Sequence, residues 1–390
     1  MQANMHTNVS YGVKYQARCI TAVRADTHRT RFLVGTLSLR EENEVHVIQL
    51  SDNGADLRCE GLYTHQPEIW DLASCPFDAL MISTVYASGG EYRASIWKIP
   101  ERSKGFNTPQ LQQIVQLDGH KDIVKSTLWW PTGKHNQLVS IDEENLYVWA
   151  LDASEKSAKV QGHISAGRLQ TMSAGCWDPH DVTSVATACG SSIKCWDLRS
   201  MKQANTIEQA HAVQVRDIDY NPNVPDIMVS AGDDSKIRVW DLRNSGMPLL
   251  ELPGHSHWTW RVRYNPKYQE LVLSAGTDSV VNLWHVSTPS STEDKLRSTS
   301  GSPRSPLDPL LRSHHEHEDS VYEVLQCQCK IYIAKWRALC LDKDIGEIGT
   351  GVAWSSYDPW IFASLSYDGR VLIDSVPHAI RKKLSQGASK

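Results

Sequence analysis

The chain has 390 residues, a net charge of −5 and an apolar fraction of 41%. This length suits one large domain or two ordinary ones, and the slightly acidic balance without a Lys/Arg run argues against nucleic acid as a partner. The N-terminus lacks the apolar core of a signal peptide, and no apolar run approaches the roughly 18 residues of a membrane span. The nine cysteines form no CxxC pair, and this cysteine pattern is typical of a reducing cytosolic setting.

In chain order, one pattern of short β-runs separated by turns occurs seven times. The first copy, "RFLVGTLSLREENEVHVIQL", is weak, and the last, "IFASLSYDGRVLIDSV", carries Asp374 where the five middle copies end in tryptophan. The five copies between them end at Trp97, Trp149, Trp196, Trp240 and Trp284. The last three of these tryptophans are 44 residues apart, a spacing typical of one four-stranded propeller blade.

A histidine precedes most copies, and a small hydroxyl, an aspartate and the tryptophan follow it at fixed distances. The pattern resembles the WD40 repeat over nearly the whole chain. The resemblance implies that these side chains form a hydrogen-bonded network within each blade. The candidate network residues are His211, Ser230, Asp234 and Trp240; His255, Ser274, Asp278 and Trp284; and His317, Ser364 and Asp368.

Seven four-stranded blades close into a propeller. We therefore predict an all-β fold, a single seven-bladed WD40 β-propeller spanning residues 9–377. The last blade lacks a fourth strand after "VLIDSV", so we expect the stretch from Val9 to Val13 to supply it. Residues 378–390 are predicted to be a frayed tail.

Counting five residues on from each loop histidine defines a second repeated position. In WD40 propellers this position lies near the top rim, where the loop enters the innermost strand. Trp, Tyr and Arg are enriched at interface hot spots, so we predict a protein-binding site there; packing between blades is the alternative. The candidates are Trp70, Lys125, Arg216, Trp260 and Tyr322, with His257 and Trp258 beside them, while blade 4 departs with Ser173.

Two segments interrupt the repeat. Residues from about 287 to 307 are rich in Ser, Thr and Pro and are predicted to be a disordered loop, in which Ser302 and Ser305 are candidate sites of proline-directed phosphorylation. Residues 323–350 interrupt an inner strand, and we interpret them as a retained intron or gene-model error. Metal binding by Cys327, Cys329 and Cys340 is not supported, because their spacing is not that of a tetrahedral site.

No GxSxG, P-loop, HExxH or GxGxxG motif is present, so we predict no enzyme activity, no metal and no cofactor. The stretches "YGVKYQAR", "RFLVGTLSL", "EIWDLA", "HSHWTWRVRYNP", "EDSVY" and "DPWIFASLSYDGRV" resemble the EARP- and GARP-interacting protein family. That resemblance implies a non-catalytic adaptor that binds multisubunit endosomal tethers. It would be cytoplasmic, held at endosomes and the trans-Golgi network through its partners, and act in endosomal recycling and retrograde transport.

A different class of function remains open. The run "MVSAGDDSKIRVWDLR" resembles the DWD box by which substrate receptors dock onto a cullin-type ubiquitin ligase. The matching residues are Asp234, Trp240, Asp241 and Arg243, but WDLR endings occur in many unrelated repeats. A third interpretation, an RNA- or chromatin-associated scaffold, fits the acidic balance less well.

Overall fold

A computed structural model describes residues 9–38, 42–65, 67–100, 109–131, 137–152, 157–167, 171–286, 309–317 and 351–387. Within these ranges, 28 strands form seven antiparallel sheets of four strands each, one sheet per blade. The prediction of an all-β, seven-bladed propeller is confirmed. Tyr322, Ser302, Ser305 and both interrupting segments lie outside the described residues.

The blades follow one another along the chain, each with its first strand innermost. Blade 1 comprises β2 (Ala17–Ala22), β3 (Arg31–Thr36), β4 (Asn43–Leu50) and β5 (Leu57–His65); blade 2, β6 (Glu68–Ser74), β7 (Met81–Ser88), β8 (Glu91–Lys98) and β9 (Gln112–Gln116); blade 3, β10 (Val124–Trp129), β11 (Gln137–Asp142), β12 (Asn145–Asp152) and β13 (Ser157–Ser165). Blade 4 comprises β14 (Met172–Trp177), β15 (Ser184–Cys189), β16 (Ser192–Asp197) and β17 (Lys202–Ile207); blade 5, β18 (Val215–Tyr220), β19 (Ile227–Gly232), β20 (Ile237–Asp241) and β21 (Leu250–Leu252); blade 6, β22 (Thr259–Tyr264), β23 (Leu271–Gly276), β24 (Val281–His285) and β25 (Leu310–His314).

Blade 7 joins the two ends of the chain. It contains β26 (Gly351–Trp354), β27 (Ile361–Leu365) and β28 (Arg370–Ser375), and its outer strand is β1 (Val9–Gly12). Val9 pairs with Ile373 and Gly12 with Arg370 in an antiparallel ladder. The predicted closure by the N-terminal stretch is therefore present: β1 pairs with β28 and becomes the outer edge strand of blade 7.

The residue that pairs with the third-strand position depends on whether that position is a tryptophan. In blades 2 to 6 the third-strand tryptophan pairs with an aliphatic or methionine residue on the second strand: Ile82, Leu138, Val185, Met228 and Val272. Blades 1 and 7 carry Ile48 and Asp374 instead, and both have a fully buried phenylalanine at the paired position, Phe32 and Phe362. The larger ring fills volume that the missing indole leaves, as dense packing requires.

The C-terminal segment differs from the expectation. Residues His378–Gly387 form a helix, α1, so the prediction of a frayed tail is wrong for this part of it. Ile380 and Leu384 are spaced four residues apart and pack on the apolar cluster that contains Leu271 and Val376. One face of the short helix is thereby removed from water, which stabilises it. No helix in the described ranges is long and apolar enough to cross a membrane.

Candidate partner-binding site

The strand directions define two faces of the propeller. The start of each innermost strand lies beside the turn between the second and third strands, as the hydrogen bond from Asp233 N to Gln214 O (2.9 Å) shows; we call this side the top face. The end of the third strand lies beside the turn between the first and second strands, and Leu242 N bonds Asp226 O there (2.8 Å); this is the bottom face.

A β-bulge occurs near the top end of the innermost strand in blades 1 to 6. In each case the pairing register skips one residue, and a bulge of this kind re-aims the side chain it carries. The position five residues after the loop histidine is this bulge. The bulged residues are Arg18, Trp70, Lys125, Ser173, Arg216 and Trp260.

Arg18 is a bulged residue that the histidine count does not identify. Blade 1 has no histidine in the loop that precedes its inner strand, so there was no residue from which to count. The register of β2 against β3 places Arg18 at the bulge, between Ala17 and Cys19. The alternation of β2 around "QARCITA" was the only sequence signal for it.

Between blades 5 and 6 the top rim carries a stack of aromatic and cationic groups. The Arg216 guanidinium carbon lies 4.6 Å from the ring centroid of Trp260 and 5.6 Å from that of Trp258. Asp233 fixes this guanidinium, because its two carboxylate oxygens accept bonds from Nε (2.6 Å) and Nη2 (2.8 Å). The His257 ring follows at 5.0 Å from Trp258 and contacts Thr277 Oγ1 through Nδ1. We call Arg216, His257, Trp258 and Trp260 the blade 5–6 stack.

Exposure separates the members of this stack. Trp260 is only 6% exposed and belongs to the protein interior, whereas Trp258 is 39% exposed. Val213, in the preceding loop of blade 5 on the same face, is 53% exposed. The face therefore presents an indole held from behind by a neutralised guanidinium, with an apolar side chain nearby. This arrangement suits contact with another protein more than chemistry.

A second pair of the same kind joins blades 1 and 2. Arg18 lies 4.5 Å from the ring centroid of Trp70, and Tyr92 packs edge-on against the same indole at 5.3 Å. Trp70 is half-buried and contributes to the core between blades 2 and 3. Two residues before it, burial raises the pKa of Glu68, an effect that Trp70 partly offsets.

The other two bulged residues turn inward to local partners. Lys125 Nζ pairs with Glu143 Oε1 at 3.1 Å. Ser173 Oγ donates to the carbonyl of Val215 in the next blade at 2.7 Å. Neither extends the aromatic surface, so the exposed aromatic part of the described rim lies at the blade 5–6 stack.

The structure brings the network residues together inside the blades. In blade 5, His211 bonds Asp234 Oδ1 through Nδ1 (2.7 Å) and Ser230 Oγ through Nε2 (2.8 Å), and Trp240 Nε1 donates to the same Oγ (2.9 Å). Blade 6 repeats this with His255, Asp278, Ser274 and Trp284 at 2.7–2.9 Å. These residues hold the loop that carries Trp258.

Blade 7 departs from this network. His317 Nε2 bonds Ser364 Oγ at 2.8 Å, but Asp368 Oδ1 accepts from Ser366 Oγ and from the Arg370 amide rather than from the histidine. The structure therefore does not include Asp368 in the histidine network.

The network aspartates are strongly acidic. Burial opposes their ionisation, but the hydrogen bond and charge of the histidine outweigh it. The pKa of Asp278 is thereby lowered to about 2 by His255, and His211 with Arg238 holds the pKa of Asp234 well below its usual range. His65 in blade 2 bonds the Pro67 carbonyl instead of an aspartate (2.9 Å), and burial lowers its pKa to about 4.

The four residues of the DWD-like motif do not form one surface. Asp234 belongs to the top-face network and Trp240 is buried in the blade. Asp241 and Arg243 lie at the bottom end of β20, where Arg243 Nη2 bonds Asp241 Oδ2 at 2.7 Å with its side chain 65% exposed. Of this motif, only the last two residues present a contact surface, and it is on the face opposite Trp258.

No group of three or more His, Cys, Asp or Glu side chains with metal-binding geometry occurs in the described ranges.

Comparison with known proteins adds sequence relationships to this geometry. The model of the EIPR1 beta-propeller family matches residues 5–284. "WD repeat-containing protein DWA2" from Arabidopsis thaliana is 50% identical over 95% of this chain and 97% of its own length. "EARP-interacting protein homolog" from Danio rerio is 36% identical over 96% and 98%, and "EARP and GARP complex-interacting protein 1" from Homo sapiens is 33% identical over 96% and 97%.

Proposed function

Because the chain belongs to the EIPR1 β-propeller family, we propose that it is a non-catalytic adaptor for endosomal tethering complexes of the EARP and GARP type. The human relative is named for interaction with the EARP and GARP complexes, and the zebrafish relative is named as a homologue of an EARP-interacting protein. In this role it acts in endosomal recycling and in retrograde transport to the trans-Golgi network. It is held at those membranes by its protein partners.

The observation that supports the proposed binding site is the blade 5–6 stack. Trp258 is 39% exposed, and its ring lies against Arg216, which is itself stacked on Trp260. A rigid, partly exposed indole buries a large apolar area on binding and loses little conformational entropy. Trp258 is therefore the central contact that we propose, with Arg216, His257 and Val213 around it.

The remaining rim candidates take lesser parts in this proposal. Trp260 acts by positioning Trp258 and Arg216, since it is 6% exposed. Trp70 and Lys125 lie on the same face but are tied to Tyr92 and Glu143. Tyr322 remains a candidate contact residue on the basis of repeat counting alone.

Affinity purification of the tagged chain from its host cells, followed by mass spectrometry, tests the proposal. We expect the wild-type chain and the Arg243→Ala variant to recover tether subunits, and the Trp258→Ala variant to recover few or none. Arg243 is the matched control, because it is an exposed side chain on the opposite face. Equal recovery by wild type and Trp258→Ala would remove the top-rim site, and the absence of tether subunits from all samples would remove the function.

A second candidate function, a substrate receptor of a cullin-type ligase, has one observation in its favour. Arg243 is exposed on the bottom face and held in place by Asp241, and blade 4 repeats this with Arg199, 73% exposed, and Asp197. If this surface docks a ligase adaptor, Arg243→Ala loses the adaptor and keeps the tether in the same purification. Absence of adaptor with the wild-type chain removes this candidate.

A further inference from the structure

The blades meet through a repeated apolar contact that we call the seam. At each seam the last core residue of one blade's outer strand packs against the third strand of the next blade. Five seams, from blade 1–2 to blade 5–6, combine an apolar or aromatic residue with the repeat tryptophan. These pairs are Tyr63 with Trp97, Leu117 with Trp149, Ile164 with Trp196, Ile207 with Trp240, and Leu252 with Trp284.

The seam between blades 6 and 7 has changed at both of its positions. His314 pairs with Val281, as Leu252 pairs with Ile237 in the preceding blade, so it occupies the position of the apolar residue. Asp374 pairs with Phe362 and occupies the position of the tryptophan. A single exchange would bury an ionisable group against an apolar surface, whereas the double exchange places two ionisable groups together.

The two side chains are in contact and almost fully buried. His314 Nδ1 lies 3.2 Å from Asp374 Oδ2, and only 3% and 5% of the two side chains are exposed. The His314 ring also packs edge-on against Phe362, with ring centroids 5.4 Å apart. Neither ring nitrogen of His314 makes a hydrogen bond of good geometry within the described ranges. The contact is therefore mainly electrostatic, and it is stronger when the imidazole carries its proton.

Other charged groups surround this pair. His317, Asp368 and Arg370 come from the loop after β25 and from the turn and start of β28, and Arg370 Nη1 bonds the backbone carbonyl of Glu316. Burial lowers the pKa of His317 to about 4, so this ring stays neutral above that pH. Of these two buried histidines, His314 is the one in contact with Asp374.

We propose that the His314–Asp374 contact is an ionisable latch, which holds blade 7 against blade 6 when the imidazole is protonated and releases the seam when it is neutral. Blade 7 also contains the closing strand β1, so loosening it opens the ring where the ends of the chain meet. This inference does not depend on the identity of the protein's partners.

A double-mutant cycle tests the latch. The urea unfolding equilibrium is measured at pH 5.5 and 8.5 for the wild type, His314→Gln, Asp374→Asn and the double variant. At pH 5.5 we expect the two substitutions to be non-additive, with a coupling of about tenfold in the unfolding equilibrium constant. At pH 8.5 the coupling is expected to fall several-fold. Additive effects at pH 5.5, or equal coupling at both pH values, would overturn the proposal.

One control and one second measurement keep the test interpretable. Leu252→Gln at the blade 5–6 seam is expected to cost the same with or without Asp374→Asn, and the same at both pH values. If the conservative variants fold poorly, hydrogen exchange of the wild-type chain provides the second measurement. Amide protection factors in β26–β28 are then expected to be lower at pH 8.5 than at pH 5.5, relative to those in β18–β20. Unchanged relative protection would contradict the latch.

Discussion

The top rim contains two regions built on one plan, at blades 1–2 and at blades 5–6. In both, an arginine at the bulge of one blade lies over the tryptophan at the bulge of the next, at 4.5 Å for Arg18 on Trp70 and 4.6 Å for Arg216 on Trp260. The difference lies two residues earlier in the chain, where blade 2 has Glu68 and blade 6 has the exposed Trp258. The same arginine–tryptophan pair thus occurs twice, and the loop residue two positions before the tryptophan determines which copy presents an exposed aromatic side chain.

The largest effect on stability is expected where the supporting tryptophan is most buried. Trp260→Ala removes an indole that is 6% exposed and leaves a cavity under Arg216, so it is expected to cost about 3–5 kcal/mol. Trp70→Ala removes a half-buried ring and is expected to cost about half as much. Urea denaturation with a matched m-value measures both, and equal costs would break the distinction between the two regions.

Acid provides the next contrast, between His65 of blade 2 and Asp278 of blade 6. Burial lowers the pKa of His65 to about 4 in the folded chain, against about 6.5 for a free histidine, so its stabilisation is complete above pH 6.5 and is lost as the pH falls to 4. That loss is at most ~3 kcal/mol. Asp278 in blade 6, with its pKa lowered to about 2, keeps its contribution down to about pH 4 and loses it below.

Equilibrium unfolding at intervals from pH 7 to 4 measures this contrast. The His65→Asn variant is expected to lose less stability than the wild type between pH 6.5 and 4. The Asp278→Asn variant is expected to follow the wild-type pH dependence above pH 4 from a lower starting stability. A wild-type profile that is flat between pH 6.5 and 4 would contradict the role assigned to His65.

Substituting lysine for each arginine tests the stacks with a smaller change. Lysine keeps the charge but loses the planar contact with the indole and, at position 216, the paired bonds to Asp233. We expect Arg216→Lys to cost about 1–2 kcal/mol of unfolding free energy and Arg18→Lys about 1 kcal/mol or less. A larger cost at position 18 would indicate that the blade 1–2 pair carries more of the fold than its geometry indicates.

The repeat features could be predicted from the sequence because each of them occurs in several blades. His211, Ser230 and Trp240 recur at the same spacing in blade 6, so blade number and network followed from counting. Features that occur once were not accessible in this way. Arg18 lacks a loop histidine to count from, α1 depends on contacts of Ile380 and Leu384 with a distant cluster, and the exposure of Trp258 against the burial of Trp260 depends on the bulge.

The smallest effect on the fold is expected at Trp258. Its indole is 39% exposed and its removal leaves Arg216 bound to Asp233 and stacked on Trp260. Trp258→Ala is therefore expected to change the free energy of unfolding by less than about 0.5 kcal/mol. A loss of several kcal/mol would show that Trp258 is part of the core and would remove it as a contact residue.

The central claim, that the blade 5–6 stack binds the tethering complex, is tested most directly by the dissociation constant of the purified chain for purified EARP or GARP complex. Wild type and Trp258→Ala are compared by a method such as biolayer interferometry, with unfolding curves to show that both are folded. We expect Trp258→Ala to weaken binding about thirtyfold, the effect of removing roughly 2 kcal/mol from an interface centre. Unchanged affinity in a folded Trp258→Ala variant would place the tether on another surface and contradict the account.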